Sequence, residues 1–189
     1  MRTWHAMSVV ALVTATSGCA ISVEPIGDAS PSMEPAEWNG VWVDAHADEG
    51  PATIVVEVTD RQGARFVLTW LNTDDGHPTL ESTVGVMRSL DGDLFVNLEQ
   101  RDESGTLEGY LPFRISRRNQ RVLAWSLDDT AIRALVAKGV LPGTLPEERT
   151  QNVVFGPLDA QHLELFSGDR AASILEWDAP LVFERVGQD

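Results

Sequence analysis

Short apolar or alternating segments recur along the chain from Trp38 onward, at intervals of about 10 to 15 residues. Alternation of apolar and polar positions is typical of β-strands, and it places Phe66, Leu68 and Trp70 on one face. The sequences between the segments are rich in Asp, Asn and Gly, which favour turns. The pattern predicts seven strands of an antiparallel meander: GVWVDA, ATIVVEVT, ARFVLTWLN, TVGVMRSL, DLFVNLEQ, YLPFRISRR and RVLAWSLD.

The pattern changes after the seventh predicted strand. In DDTAIRALVAKG, apolar Ile132, Leu135 and Val136 recur at helical spacing behind an acidic N-cap candidate, Asp128 or Asp129. DAQHLELFSG predicts a second capped helix, and VVFGPL and PLVFERV predict two further strands. The expected fold class is mainly β (α+β), an antiparallel meander or barrel with two or three short helices inserted before the last strand.

The N-terminus has the layout of an export signal in residues 1–18. Arg2 precedes an apolar run of about ten residues, well short of the roughly 20 that a membrane-spanning helix needs. Small residues follow, and then Cys19, the only cysteine of the chain. Because no second thiol exists for an internal disulfide, Cys19 is left for modification.

TSGC, residues 16–19, resembles the lipobox of bacterial lipoproteins, with Thr16 in place of the usual leucine. In that family the cysteine receives a diacylglycerol on its sulfur and becomes the first residue after cleavage. The resemblance implies a lipidated Cys19 and an exported protein anchored to a lipid bilayer of the cell envelope, at the outer membrane or periplasmic face. The alternative is an ordinary export signal cleaved near a cysteine.

The next stretch, AISVEPIGDASPSMEPA, has three prolines and no sustained period. This composition is typical of a linker. The sequence therefore predicts a lipidated cysteine and flexible tether over residues 19–36, followed by a single β-rich globular domain over residues 37–189.

GVW, residues 40–42, opens the first predicted strand of the domain and is similar to the G-x-W signature of lipocalin-like barrels. The resemblance implies a barrel in which Trp42 closes one end and packs under an arginine of the last strand, here Arg185. The helices before the last strand depart from that family. The layout as a whole also looks like a group of uncharacterised bacterial lipoproteins, which implies no activity.

The charge and the motifs of the chain argue against several classes of function. The chain carries 29 acidic and 14 basic residues, a net charge of -15, so nucleic acid would be repelled. Three acidic segments, DAHADEG, NTDDGHP and LDGD, are expected to be solvated loops and turns rather than metal sites; in the first, Val55 stands where a calcium loop needs glutamate. His162 is expected to be a packed or capping residue. No catalytic motif or metal-spaced cysteine pair is present, so no cofactor is expected.

The tryptophans are the remaining candidates for a site. They would line a ligand cavity if the barrel is hollow, or fill it if it is solid, and small barrels of about eight strands are usually filled by their own side chains. The candidates are Trp38, Trp42, Trp70, Trp125 and Trp177. The resulting hypothesis is a non-enzymatic, membrane-tethered module that binds an apolar ligand or an envelope protein. The alternative is a tethered or secreted hydrolase that uses loop carboxylates.

Overall fold

The computed structural model of the protein describes residues 19–45, 53–74, 77–148 and 151–187. The predicted export signal lies outside the described residues, as does DAHADEG from its histidine onward and part of NTDDGHP. The described strands are β1 Ala20–Ser22, β2 Gly40–Asp44, β3 Thr53–Asp60, β4 Arg65–Asp74, β5 His77–Leu90, β6 Asp93–Arg101, β7 Leu107–Arg118, β8 Arg121–Ser126, β9 Gly143–Thr144, β10 Val153–Phe155 and β11 Leu181–Arg185.

Eight of these strands form a closed antiparallel barrel, in the order β2–β3–β4–β5–β6–β7–β8–β11, with β11 paired to β2. The seven strands predicted from alternation are all present, and the strand predicted from PLVFERV closes the cylinder. At the closing seam, Arg185 lies opposite Trp42. The mainly β fold with short helices is therefore confirmed, and closure leaves the barrel without exposed strand edges.

The short helices that follow β8 pack outside the barrel and build a second apolar core against it. Helix α2, Asp129–Ala137, begins where the Asp128 carboxylate accepts a hydrogen bond from the backbone N–H of Ala131. Helix α3, Ala160–Leu163, continues as a 3-10 helix, Glu164–Phe166, and a second 3-10 helix covers Gly168–Ser173. His162 belongs to the capping box of α3, in which its backbone N–H donates to Asp159.

The segment predicted to be a flexible tether is instead built into the domain. Strand β1 pairs in parallel with β10, and the side chains of Ile26 and Met33 are buried. Helix α1, Pro35–Trp38, follows directly. The side chain of Asn97, itself buried, bonds both backbone groups of Ile26, accepting from its N–H at 2.8 Å and donating to its carbonyl at 3.3 Å. The tether prediction is wrong because scattered aliphatic side chains can pack without any regular period.

Candidate functional site

The interior of the barrel contains a cavity of about 770 Å³. Along each strand alternate residues face inward, and on β4 these are Phe66, Leu68 and Trp70. Most of the other lining side chains are aliphatic or aromatic, among them Ile54, Val56, Met87, Val96, Leu98, Leu111, Phe113, Ile115, Leu181 and Phe183. Ligand pockets typically measure about 300–1,000 Å³, so this space can hold one small molecule.

One end of the barrel, where β2 begins and β11 ends, is packed shut. Met33, Trp38 and Trp42 fill it, with α1 leading into β2. The Trp42 indole N–H donates a hydrogen bond to the Trp38 carbonyl at 3.1 Å. We call this the closed end.

Arg185 covers Trp42 at the closed end. Its guanidinium carbon lies 5.9 Å from the centroid of the indole, within the range of a cation–π contact. The same group donates hydrogen bonds to the carbonyl of Ala36, at 2.9 Å, and to that of Asn39. Gly40 has φ +142°, and a Cβ there would lie 3.1 Å from Arg185 Nε. Gly40 therefore leaves room for the Arg185 side chain, and Trp42 supplies the ring that the guanidinium covers.

At the opposite end of the barrel, which we call the mouth, none of the described residues fills the interior as Trp38 and Trp42 do at the closed end. Leu98, Phe113 and Leu181 near it are only partly buried. Polar side chains form its rim: Glu81, Gln100, Arg101, Asp129 and Glu176. The Trp70 indole N–H is buried at the cavity wall and donates no hydrogen bond to any described residue. The cavity is therefore apolar toward the closed end and polar at the mouth, which suits a ligand with an apolar body and one polar end.

Cys19 lies on the rim of the mouth and lines the cavity. Its backbone N–H donates to the Asn152 side-chain oxygen at 2.8 Å, and its carbonyl accepts from Val153 N–H at 3.0 Å. Burial raises the pKa of its thiol, and the nearby carboxylates of Asp129 and Glu176 raise that pKa further. This position could not be predicted from the sequence, because it depends on the pairing of β1 with β7 and β10.

Two of the five candidate tryptophans do not line the cavity. On β8, Val122 and Ala124 face inward, so Trp125 faces outward into the second core. There its ring centroid lies 5.1 Å from that of Trp177. The guanidinium carbon of Arg114 lies 4.9 Å from the Trp177 ring centroid. The interior itself is packed at the closed end only. The sequence favoured a barrel filled by its own side chains. The barrel instead contains a cavity, and Trp38, Trp42 and Trp70 are among the residues that line it.

The acidic segments that the structure describes make structural contacts. In LDGD, Asp91 has positive φ in the turn between β5 and β6, and Asp93 pairs with Arg114 at 2.5 Å. Within the described ranges, no three His, Cys, Asp or Glu side chains are grouped so that they could hold a metal ion. Each helix in that part of the chain is too short or too polar to span a membrane.

Comparisons with known proteins returned no matching family model, curated protein or solved structure. The function must therefore be argued from the geometry of the barrel.

Proposed function

We propose that this protein is a lipid-anchored envelope protein whose barrel binds an apolar ligand. The cavity of about 770 Å³ is the observation that carries the proposal. A preformed concave site with a mostly apolar lining and a few polar groups at one end is typical of small-molecule binding sites. Eight-stranded barrels can hold one small ligand in this way.

The lining favours an elongated ligand with one polar end. Its apolar part would lie toward Phe66 and Met87, which are buried near the closed end. Its polar end would lie at the mouth, where Glu81, Gln100 and Arg101 line the cavity.

Leu68→Trp should block the cavity and weaken ligand binding at least tenfold, about 1.4 kcal/mol or more. Leu68 faces the cavity between Phe66 and Trp70, so a larger side chain there occupies ligand space. The measurement is titration of a fluorescent fatty-acid analogue into the chain beginning at residue 19, and native mass spectrometry identifies co-purifying ligand.

Thr69→Trp is the matched control, because Thr69 is the next residue of the same strand and lies outside the cavity lining. It should bind the probe as the wild type does. Equal binding by Leu68→Trp and the wild type would contradict a site inside the barrel, and absence of binding by the wild type would contradict the proposal itself.

The proposed anchor is a diacylglycerol on Cys19. Metabolic labelling with a radioactive fatty acid should mark the wild-type protein and should not mark Cys19→Ala, which should be recovered as soluble exported protein or retain its signal. Ser17→Ala, which keeps a small residue before the cysteine, should be labelled normally. Labelling of Cys19→Ala at the wild-type level would contradict the anchor and leave the cavity proposal standing.

A further inference from the structure

We infer that the mouth of the barrel docks on a lipid bilayer and that the ligand is an acyl-chain amphiphile taken from that bilayer. The inference rests on the proposed function, since it assigns a source to the ligand of the same cavity. Three features of the mouth carry it: exposed leucines, the position of Cys19 and the direction of the opening.

Three exposed leucines lie at the mouth ends of β4, β5 and β7. On the β4–β5 hairpin, Leu71 and Leu80 lie opposite each other near the mouth. Leu71 is 53% exposed and Leu80 is 76% exposed, and Leu107, the first residue of β7, is 40% exposed. Exposed apolar side chains gathered at one end of a domain mark a contact surface.

The position of Cys19 indicates that this surface contacts a lipid bilayer. The backbone of Cys19 is hydrogen bonded to Asn152 and Val153, and β1 begins at the next residue. No flexible spacer therefore separates Cys19 from the barrel. A lipid on Cys19 would begin at the rim of the cavity, and its chains would hold the mouth against the membrane that contains them.

The opening then faces the source of the ligand. A chain that leaves the bilayer at the mouth passes directly between the partly buried side chains of Leu98 and Leu181 into the cavity. Its polar group remains at the level of the rim, beside Gln100 and Arg101. Transfer by contact in this way avoids exposing the acyl chain to water, where each CH₂ group is unfavourable.

The test measures extraction of a fluorescent fatty acid from phosphatidylcholine vesicles that carry it at a self-quenching concentration. Zwitterionic vesicles are appropriate because the chain from residue 19, which lacks Arg2, has 13 basic and 29 acidic residues, and its net charge of -16 opposes contact with anionic lipid. The protein is the chain from residue 19 with Cys19→Ser, which contains every described strand and helix. Its extraction rate should rise in proportion to vesicle concentration, as contact-dependent transfer requires.

Leu71→Thr/Leu80→Thr should extract the probe about tenfold more slowly and bind it normally in solution. Threonine is favoured in strands and adds no charge, so the hairpin should be retained. The control is Val41→Thr/Val186→Thr, which changes two exposed residues that are hydrogen-bonded neighbours at the closed end. It should extract at the wild-type rate.

The outcomes separate the two proposals. Normal binding in solution with equal extraction by both double variants would overturn bilayer docking alone, and so would a rate that is independent of vesicle concentration. Slower extraction by both double variants would place the contact elsewhere and overturn docking through the mouth. Failure of the unsubstituted chain to bind the probe in solution would overturn the proposed function and this inference with it.

Discussion

Trp42→Ala is expected to lower the free energy of unfolding by about 3–5 kcal/mol, the range for truncating a buried tryptophan. Trp42 is 2% exposed and packs at the closed end with Met33 and Trp38. The substitution leaves a cavity at this end and removes the indole donor of the hydrogen bond to the Trp38 carbonyl. Urea unfolding of the chain from residue 19 measures the loss.

Arg185→Ala should cost less, about 1–3 kcal/mol, because the arginine is only partly buried. It donates to the carbonyls of Ala36 and Asn39, which would lose a partner, and it lies over Trp42. The two substitutions touch the same contact, so the double variant should lose less than the sum of the singles. The difference should be about 0.5–2 kcal/mol, the range for a cation–π pair.

Arg121→Ala is the control for the loss of an arginine. Arg121 is paired with Glu184 on the barrel surface, where both side chains are largely exposed, and such pairs contribute about 0–1 kcal/mol. Strict additivity of Trp42→Ala and Arg185→Ala would contradict the contact across the closing seam. So would a loss for Trp42→Ala as small as that for Arg121→Ala.

The barrel could be predicted from the sequence because alternation is a local signal. In ARFVLTW the inward residues Phe66, Leu68 and Trp70 alternate with outward ones, and turn residues separate each strand from the next. The two capped helices were also visible, since Asp128 and Asp159 each precede a helix and bond its first turn. Each of these features depends on residues that are close together in the chain.

The cavity could not be predicted, because its volume depends on the packing of side chains from eight strands. The side of the sheet on which Trp125 lies could not be predicted either. In RVLAWS both sides of the strand carry apolar residues, because one side packs in the barrel interior and the other packs against the second core. The location of Cys19 on the rim depends on pairing between β1 and β10, which are separated by about 130 residues. Long-range pairing of a three-residue strand leaves no local pattern.

The burial of several side chains between residues 20 and 33 leads to the second prediction, that a chain beginning at Ala36 will not fold stably. Such a chain lacks Ile21, Ile26 and Met33, all buried, and burying one side chain of this size contributes about 1.5–3 kcal/mol. The combined loss of about 5–9 kcal/mol is comparable to the whole stability of a typical domain, about 5–15 kcal/mol. It also leaves the buried amide of Asn97 without Ile26.

Circular dichroism of the shortened chain should therefore show little cooperative unfolding in urea, in contrast to the chain from residue 19. Two point variants of the longer chain distinguish the loss of buried side chains from the effect of shortening the chain. Ile26→Ala should cost about 2–5 kcal/mol, since Ile26 is fully buried. Val23→Ala, at a 40% exposed position of the same segment, should change stability by no more than about 0.5 kcal/mol. If the shortened chain unfolded at the same urea concentration as the longer one, residues 19–35 would be a tether after all, and Cys19 would be free to hold its lipid away from the mouth.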